Sequence, residues 1–243
     1  MRNIGIIGYG KIGGAVVAEL RSGPSSRGNR VSGVLARTGR HDAGLRITAD
    51  PEVFFAARHD LIIEVAGPSA LASLADRALS VSDVWSISPS ALADAGIVAQ
   101  IRQTALAHGH HLRILSGATA GLDGIAGAAV HGAPLTLKVH VRSDQGPGVL
   151  FEGSVREALK RFPHTINIAA AAALAGPGLD DTRIQLRDAA PGQERVNQID
   201  IHSPVFRLQV QTASTPPAPG QPSATASSVI AALRALDQPI RFG

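Results

Sequence analysis

A glycine-rich turn between a short apolar run and an amphipathic segment constrains the fold of this chain more than any other feature. Residues 4–7 read IGII, and Gly8, Gly10 and Gly13 follow in the run GYGKIGG before AVVAEL continues with helical spacing. An apolar run, a glycine turn and a helix in this order predict the first half of a βαβ unit. The N-terminal part is therefore expected to be an α/β fold.

The spacing of these glycines is typical of a loop that binds the diphosphate of a dinucleotide. Gly8 permits the tight turn, Gly10 lets the backbone approach the pyrophosphate, and Gly13 lets helix and strand pack closely. The N-terminus of the following helix also favours the phosphate charge. A structural glycine turn without a ligand is the alternative. The predicted cofactor contacts in the turn are Gly8, Tyr9, Gly10, Lys11, Ile12 and Gly13.

The end of the second predicted strand bears on the choice between NAD and NADP. The strand is expected at 31–36, and Arg37 and Thr38 follow it without a carboxylate. NAD-binding turns usually have an acidic residue here to hold the ribose hydroxyls, whereas a guanidinium can form two hydrogen bonds with a 2′-phosphate. We therefore predict NADP or NAD as the cofactor and Arg37 and Thr38 as contacts. The alternative for Arg37 is a solvated loop residue.

The rest of the N-terminal half alternates strands with helices. The apolar pattern predicts strands at 60–67, 81–88 and 111–116 and helices at 68–79 and 93–107. Strands and helices that alternate at this spacing predict a doubly wound parallel sheet, the Rossmann arrangement.

After Gly121 the pattern changes to one in which strands alternate apolar and polar residues. A strand is expected at 135–143, an amphipathic helix at 152–162 and a small-residue helix at 166–176, and the runs TRIQLRD, VNQIDIH and VFRLQVQT then read as three further strands. Such alternation is typical of a sheet with one face covered. We predict a second, smaller α/β domain with a mixed or antiparallel sheet.

The predicted boundaries follow from these patterns. The dinucleotide-binding domain is expected at 1–110 plus 223–243, because the last helix, SSVIAALRAL, can return to it after the proline-rich segment TASTPPAPGQPS. The second domain is expected at 111–222.

Composition narrows the classes of function. Cysteine is absent, which excludes disulfides, thiolate metal sites and a cysteine nucleophile. The 23 basic residues are mostly arginines spread along the chain, and aromatic residues make up 3%. The sequence therefore lacks the basic patch and the stacking aromatic residues that are typical of nucleic-acid-binding proteins. Without a long apolar stretch or signal segment, a cytoplasmic protein without membrane partners is expected. The run HGHH at 108–111 predicts a helix end, and no metal site is predicted.

Four segments resemble the aspartate dehydrogenase family. The run SGATAGL at 116–122, followed by Asp123, is similar to the SGAxGGLD signature of that family, and EVAGP (64–68), FEGSVREALKRFP (151–163) and the closing IRFG match at corresponding spacing. The resemblance covers nearly the whole chain. It implies a Rossmann domain, a domain at 111–222 for substrate binding and dimerisation, and hence a homodimer. It also implies reversible oxidative deamination of L-aspartate to oxaloacetate through an imine, so the small-molecule substrate is a dicarboxylic amino acid or its imine.

The resemblance assigns residues to both ligands. Ala66, Gly67 and Ala118 match the small residues that hold the nicotinamide end of the cofactor, and Thr165 stands where the family has a cofactor-contacting asparagine. An ordinary helix-entry loop is the alternative interpretation of SGATAG. The predicted substrate contacts are Ser116, Gly117, Asp123, Arg142, Asn167 and Asn197.

Three segments depart from the family pattern. The family motif FPxNxN reads FPHTIN, so Thr165 replaces the first asparagine and Asn167 keeps the second. The basic, proline-containing segment that helps to bind the substrate carboxylates falls at 139–148, where Arg142 offers the comparable charge. The KTS stretch before the last helix is replaced by GQP at 220–222.

The catalytic histidine of the family aligns with Asn197. An amide does not titrate near neutral pH, and loss of a general base typically costs ~10² to 10⁴ in rate. His202 lies five positions further on, which places it on the opposite face of the strand. We predict His164 as the substitute proton donor, with a solvated or structural histidine as the alternative.

Three functions therefore remain open from the sequence. The chain is an L-aspartate dehydrogenase, a related enzyme that reduces another imine or carbonyl compound, or a non-catalytic protein that binds NADP. The substituted carboxylate-binding segments favour the second. The loss of the histidine at Asn197 permits the third, although the retained small residues at the predicted nicotinamide site argue against it.

Overall fold

The computed structural model describes residues 1–37, 42, 44–141, 148–163, 165–189, 196–213 and 215–240, with residues 140 and 141 described by their backbone alone. The chain divides into two compact units. The first unit comprises Met1–Gly117 and Pro219–Phe242, and the second comprises Ala118–Ala218.

The first unit contains a parallel sheet of six strands with helices between them. The strands are β1 (Arg2–Ile7), β2 (Asn29–Leu35), β3 (Ile47–Thr48), β4 (Leu61–Glu64), β5 (Val84–Ser86) and β6 (Leu112–Ile114). The helices are α1 (Lys11–Ser22), α2 (Pro51–Phe55), α3 (Pro68–Val81) and α4 (Ala95–His108). The sheet order is β3-β2-β1-β4-β5-β6. The predicted doubly wound Rossmann sheet is confirmed, and its order reverses between β1 and β4, where ligands of this fold bind.

The predicted domain boundary at residue 111 is wrong by several residues. Strand β6 pairs in parallel with β5, Val84 opposite Leu112, so it extends the first sheet. The boundary therefore lies after Gly117. The helix end predicted at HGHH is confirmed, since α4 ends at His108 and Gly109 follows in the left-handed conformation with φ of 69°.

The second unit contains a mixed sheet of five strands. The strands are β7 (Leu135–Val141), β8 (Gly148–Ser154), β9 (Thr182–Asp188), β10 (Val196–His202) and β11 (Arg207–Ala213), in the sheet order β11-β10-β7-β9-β8. Strands β7 and β9 are parallel and the other pairs are antiparallel. The helices are α5 (Leu122–Ala129), α6 (Val155–Arg161) and α7 (Asn167–Ala175). The mixed sheet agrees with the predicted fold class.

The helix predicted at 152–162 is shorter than expected. Residues 152–154 belong to β8, where Glu152 pairs with Gln185 of β9. The helix α6 begins after Ser154, whose hydroxyl accepts a hydrogen bond from the Glu157 backbone N–H while the Glu157 side chain accepts one from the Ser154 backbone. This capping box stabilises the start of the helix at Ser154. Residues 152–154 are part of a strand because they pair with β9.

The last helix, α8 (Ala224–Leu236), belongs to the first unit and packs against α1. One side of the parallel sheet is covered by α1 and α8, where Ile6, Val16 and Leu233 are fully buried in one cluster. On the other side Ile7 joins Leu79 in a second cluster. Ile6 and Ile7 enter different clusters because successive strand side chains point to opposite faces. Within the part of the chain that the structure describes, no helix has the length and apolar character needed to cross a bilayer.

Candidate functional site

The glycine turn after β1 requires glycine at Gly8 for two reasons. Gly8 has φ of 106°, a backbone conformation that side chains disfavour. A methyl group on Gly8 would also lie 2.8 Å from the Cα and the backbone nitrogen of Ala66. The Gly8 backbone N–H donates to the Leu35 carbonyl at 2.8 Å, so the turn is held between β2 and the residues after β4.

Gly13 and Gly10 have different roles in this turn. A methyl group on Gly13 would overlap the Gly8 carbonyl oxygen, so the close approach of α1 to the turn excludes a side chain. A methyl group on Gly10 would contact nothing within 4 Å among the described atoms, and this exposed residue begins α1 without a side-chain cap. Uncapped backbone N–H groups beside open space fit the diphosphate of a dinucleotide.

Tyr9 brings a carboxylate to the edge of the turn. Its hydroxyl donates to Asp42 Oδ2 at 2.6 Å, and Arg21 contacts the other oxygen of Asp42 at 3.0 Å. Asp42 lies seven positions beyond the end of β2 and was not anticipated from the sequence, because the expected acidic residue stands directly at the strand end. Arg37 is exposed just after β2, and Thr38 lies outside the described residues.

The other turn residues are partly exposed. Lys11 is the exposed first residue of α1, whereas Ile12 packs against the cluster between α1 and the sheet. Ala66 is exposed and Gly67, which has φ of 118°, is half-buried. The structure therefore brings Gly8, Ala66 and Gly67 together at one edge of the sheet.

A buried carboxylate that the sequence analysis did not single out lies beneath Ala66 and Gly67. Glu64, the last residue of β4, is 1% exposed, and its Oε1 accepts hydrogen bonds from the backbone N–H groups of Ala66 and Gly67, both at 2.7 Å. Its Oε2 accepts a hydrogen bond from the Ser86 hydroxyl at 2.5 Å. Burial raises the pKa of the Glu64 carboxyl, while these hydrogen bonds act in the opposite direction. An acidic residue that ends the apolar run LIIE was the available signal.

Ser116 and Gly117 follow β6 at the same edge of the parallel sheet, two strands beyond β4. Both residues are half-buried, and Gly117 has φ of 63°. The positive φ explains the glycine in the SGATAG run, since other residues rarely adopt this conformation.

Asn197 lies on the covered face of the second sheet. It is 6% exposed and shares the buried side of β10 with Ile199 and Ile201, and it pairs across the strands with Thr212. Among the described residues, its Oδ1 has no hydrogen-bond partner. His202 is exposed at the end of the same strand, on the other face, as predicted. A buried acceptor without a hydrogen-bond partner is uncommon in folded proteins and requires an explanation.

The loop before α5 packs over the same face. Thr119 is 8% exposed, and its hydroxyl also lacks a partner within the described part of the chain. A methyl group on Gly121 would lie 3.0 Å from Val210 Cγ2, and Val210 pairs with Ile199 of β10. The loop and Asn197 therefore lie on one face of the second sheet. Thr119 was not singled out from the sequence, although it stands inside SGATAG.

The remaining predicted residues are more scattered. Ala118 is half-buried, and Asp123 is exposed in the first turn of α5. Thr165 is exposed and Asn167 is the half-buried first residue of α7. Arg142 and His164 lie outside the described residues. In the described ranges no cluster of histidine and carboxylate side chains has the arrangement of a metal site.

Two parts of the chain match known protein families. Residues 8–115 match the family model of the homoserine dehydrogenase NAD binding domain, and residues 126–236 match that of the aspartate dehydrogenase C-terminal domain. The chain is 32% identical over 234 residues to L-aspartate dehydrogenase 1 of Bordetella pertussis, covering 87% of this chain and 89% of that protein. It is also 32% identical over 263 residues to L-aspartate dehydrogenase of Ruegeria pomeroyi, covering 98% and 94%.

Solved structures share the fold. Aspartate dehydrogenase from Thermotoga maritima superposes with a TM-score of 0.79 at 21% identity, over 100% of both chains. An engineered D-amino acid dehydrogenase bound to NADP⁺ superposes with a TM-score of 0.52 at 16% identity, over 96% of this chain and 88% of that one.

Proposed function

Because this chain belongs to the aspartate dehydrogenase family, we propose that it is an NAD(P)-dependent dehydrogenase that converts L-aspartate to oxaloacetate and ammonia through an imine. The family resemblance predicted from the sequence is confirmed. The observation that carries the proposal is the turn after β1, where Gly8 packs on Ala66 and Gly10 leaves the N-terminus of α1 open.

The first unit supplies the cofactor contacts in this proposal. The N-terminus of α1 and Gly10 bind the diphosphate, and Ala66 and Gly67 hold the nicotinamide end, to which the family resemblance also assigns Ala118. When bound, NAD(P) supplies the ring that accepts a hydride from the substrate carbon or returns it. Arg37 favours NADP through a 2′-phosphate, and Asp42 beside Tyr9 offers a carboxylate for ribose hydroxyls, which favours NAD.

The second unit supplies most of the substrate contacts. The buried Oδ1 of Asn197 accepts a hydrogen bond from the amino group of the substrate, or from the imine N–H that replaces it. The buried hydroxyl of Thr119, in the loop before α5, also has no hydrogen-bond partner among the described residues. The family resemblance assigns Arg142 to a substrate carboxylate and Ser116, Gly117, Asp123 and Asn167 to further substrate contacts.

Proton transfer is assigned to a different residue from the one used in the family. Asn197 can orient a nitrogen but cannot take its proton, because an amide does not titrate in the neutral range. We assign the proton to the imidazole of His164, beside Thr165. We also propose that the protein acts in the cytoplasm as a homodimer formed through the second unit, as the family resemblance implies.

A second candidate is supported by Asn197 itself. Replacing an imidazole by an amide changes both the proton chemistry and the hydrogen bonds offered to the substrate. The same site then favours reduction of another imine or carbonyl compound.

Oxidation of NADPH and NADH in the presence of oxaloacetate and ammonia tests the proposal. We expect oxidation that needs both substrates, and a rise of about 10²-fold in kcat for Asn197→His, because a titratable base is restored. Oxidation with other carbonyl compounds but not with oxaloacetate would support the second candidate. If no compound is reduced although the dinucleotide binds, the chain is not catalytic.

Calorimetric titration with NADP⁺ and NAD⁺ decides the cofactor. If Arg37 contacts a 2′-phosphate, Arg37→Ala weakens NADP⁺ binding by about tenfold and leaves NAD⁺ binding unchanged. An equal loss for both cofactors would rule out a specific contact with the 2′-phosphate, and no loss for either would leave Arg37 a solvated loop residue.

A further inference from the structure

Glu64 occupies a place in the sheet where a charged side chain is costly. It ends β4, in which Leu61, Ile62 and Ile63 are all buried, and it is itself 1% exposed. A buried carboxylate persists only where hydrogen bonds replace its water. The donors to Glu64 identify what the carboxylate holds in place.

Two of those donors belong to the turn that carries the predicted nicotinamide contacts. The helix α3 begins at Pro68, with Gly67 as its uncapped N-cap residue, so the backbone N–H groups of Ala66 and Gly67 precede the helical hydrogen bonds. Glu64 Oε1 accepts both of them at 2.7 Å. This pair of bonds holds the turn in a conformation in which Gly67 has φ of 118°.

The turn is in direct contact with the dinucleotide-binding loop. The Cα and backbone nitrogen of Ala66 lie so close to Gly8 that a methyl group there would be 2.8 Å from each. The Val65 backbone N–H also donates to the Ile7 carbonyl at 2.8 Å. A shift of Ala66 therefore alters the surface on which Gly8 packs.

The second carboxylate oxygen connects a third segment. Glu64 Oε2 accepts a hydrogen bond from the Ser86 hydroxyl at 2.5 Å, and the same hydroxyl oxygen accepts one from the Ser88 backbone N–H at 3.0 Å. Ser86 ends β5 and is fully buried. One carboxylate thus links the turns that follow β4 and β5, and through Ala66 it reaches the turn after β1.

We propose that Glu64 is a positioning residue that holds the Ala66–Gly67 turn against Gly8 and thereby sets the affinity of the first unit for its dinucleotide. The inference rests on the proposed function, because the dinucleotide is the cofactor of that reaction. Glu64 acts through the backbone of Ala66 and Gly67.

Four variants separate geometry from charge and from general stability. Glu64→Gln keeps one oxygen that can accept both backbone N–H groups, whereas Glu64→Asp keeps the charge but is one methylene too short to reach them. Ser86→Ala removes the partner of Oε2 and leaves the turn bonds intact. Glu19→Ala is the matched control, because Glu19 is a buried, hydrogen-bonded glutamate near the other end of α1 in the same unit.

Calorimetric titration of each variant with NADP⁺ and NAD⁺, beside thermal unfolding, tests the proposal. We expect the Kd of the better-bound dinucleotide to rise about tenfold or more in Glu64→Asp, since small displacements in a binding site have effects of this order. Glu64→Gln and Ser86→Ala are expected to stay within about threefold of the wild type. Glu19→Ala is expected to lower the melting temperature without changing Kd.

The outcomes distinguish this inference from the proposed function. If the wild type binds neither dinucleotide, the proposed function fails. If the wild type binds and Glu64→Asp, folded by its cooperative melt, binds equally well, the positioning role is overturned. A loss of affinity in Glu64→Gln but not in Glu64→Asp would also overturn it, because charge would then matter and reach would not. A loss in Glu19→Ala as large as in Glu64→Asp would assign the effect to stability alone.

Discussion

Arg234 on α8 forms a double hydrogen bond with Glu19 on α1, from Nε to Oε1 at 2.9 Å and from Nη2 to Oε2 at 2.8 Å. Glu19 is buried and also accepts hydrogen bonds from the backbone N–H and the hydroxyl of Ser25. The two partners are 215 positions apart in the chain. They join the C-terminal helix to the start of the first unit, which makes α8 part of its core.

This pair makes the free energy of unfolding depend on pH in the acidic range. The hydrogen bonds from Arg234 are the main reason that the pKa of Glu19 falls from 4.5 to about 2 in the folded protein, and those from Ser25 add to the shift. A carboxyl with a lowered folded pKa stabilises the fold above its unfolded pKa, and that stability is lost as the pH falls from about 4.5 towards 2. We expect urea unfolding at pH 7, 4 and 3 to show this loss in the wild type and a smaller loss in Glu19→Gln. If the free energy of unfolding fell equally with pH in the wild type and in Glu19→Gln, the pH dependence would not come from Glu19.

His59 produces a second pH dependence in a different range. It is buried, its Nδ1 lies 2.7 Å from the Ser32 hydroxyl and its Nε2 lies 2.9 Å from the Phe54 carbonyl. Desolvation lowers the pKa of His59. Because the folded state favours the neutral ring, stability present above the unfolded pKa, about 6.5, is lost as the pH falls below it. The free energy of unfolding should decline between pH 7.5 and 5.5 in the wild type and in His108→Gln, an exposed control, but less in His59→Gln.

Two glycines of the turn are expected to respond differently to alanine. In Gly8→Ala the methyl group meets Ala66 and the φ of 106° is strained, so the free energy of unfolding should fall by about 1–3 kcal/mol. In Gly10→Ala the methyl group enters open space and the backbone, with φ of −86°, accepts it. Stability should therefore change by less than about 0.5 kcal/mol, while dinucleotide affinity falls because the side chain takes the place of the diphosphate. Unimpaired binding by Gly10→Ala would refute the diphosphate site.

We expect Asn197 to lower the free energy of unfolding while it supports turnover of the substrate. Its Oδ1 is buried without a partner among the described residues, and an unpaired buried acceptor destabilises a fold by about 1–3 kcal/mol. Replacing it by leucine removes the unpaired group and should raise the free energy of unfolding by up to about 1 kcal/mol, while substrate turnover is lost. A fall in stability together with unchanged turnover would assign Asn197 to the core alone. Thermal melts and the NADPH assay on the same preparation measure both.

The bounds of the helices and strands show which elements a local sequence pattern is sufficient to predict. The glycine turn, α1 and the parallel strands were predicted because each depends on a short stretch of neighbouring residues. The segment 152–154 was assigned to a helix because its neighbours have helical spacing, but its pairing with β9 made it a strand. Strand β6 was placed in the wrong domain for a similar reason, since its membership depends on pairing with β5.

The amino-acid sequence by itself determined the dinucleotide turn, the Rossmann class and the family, because the spacing of Gly8, Gly10 and Gly13 and the signature around Ser116 are local properties. Only the tertiary structure decided which side chains meet across the fold. Glu64 meets Ser86 of the next strand, Tyr9 meets Asp42, and Glu19 meets Arg234 from the far end of the chain. Such contacts depend on the register of strands and the packing of helices, which bring together residues that no short pattern relates.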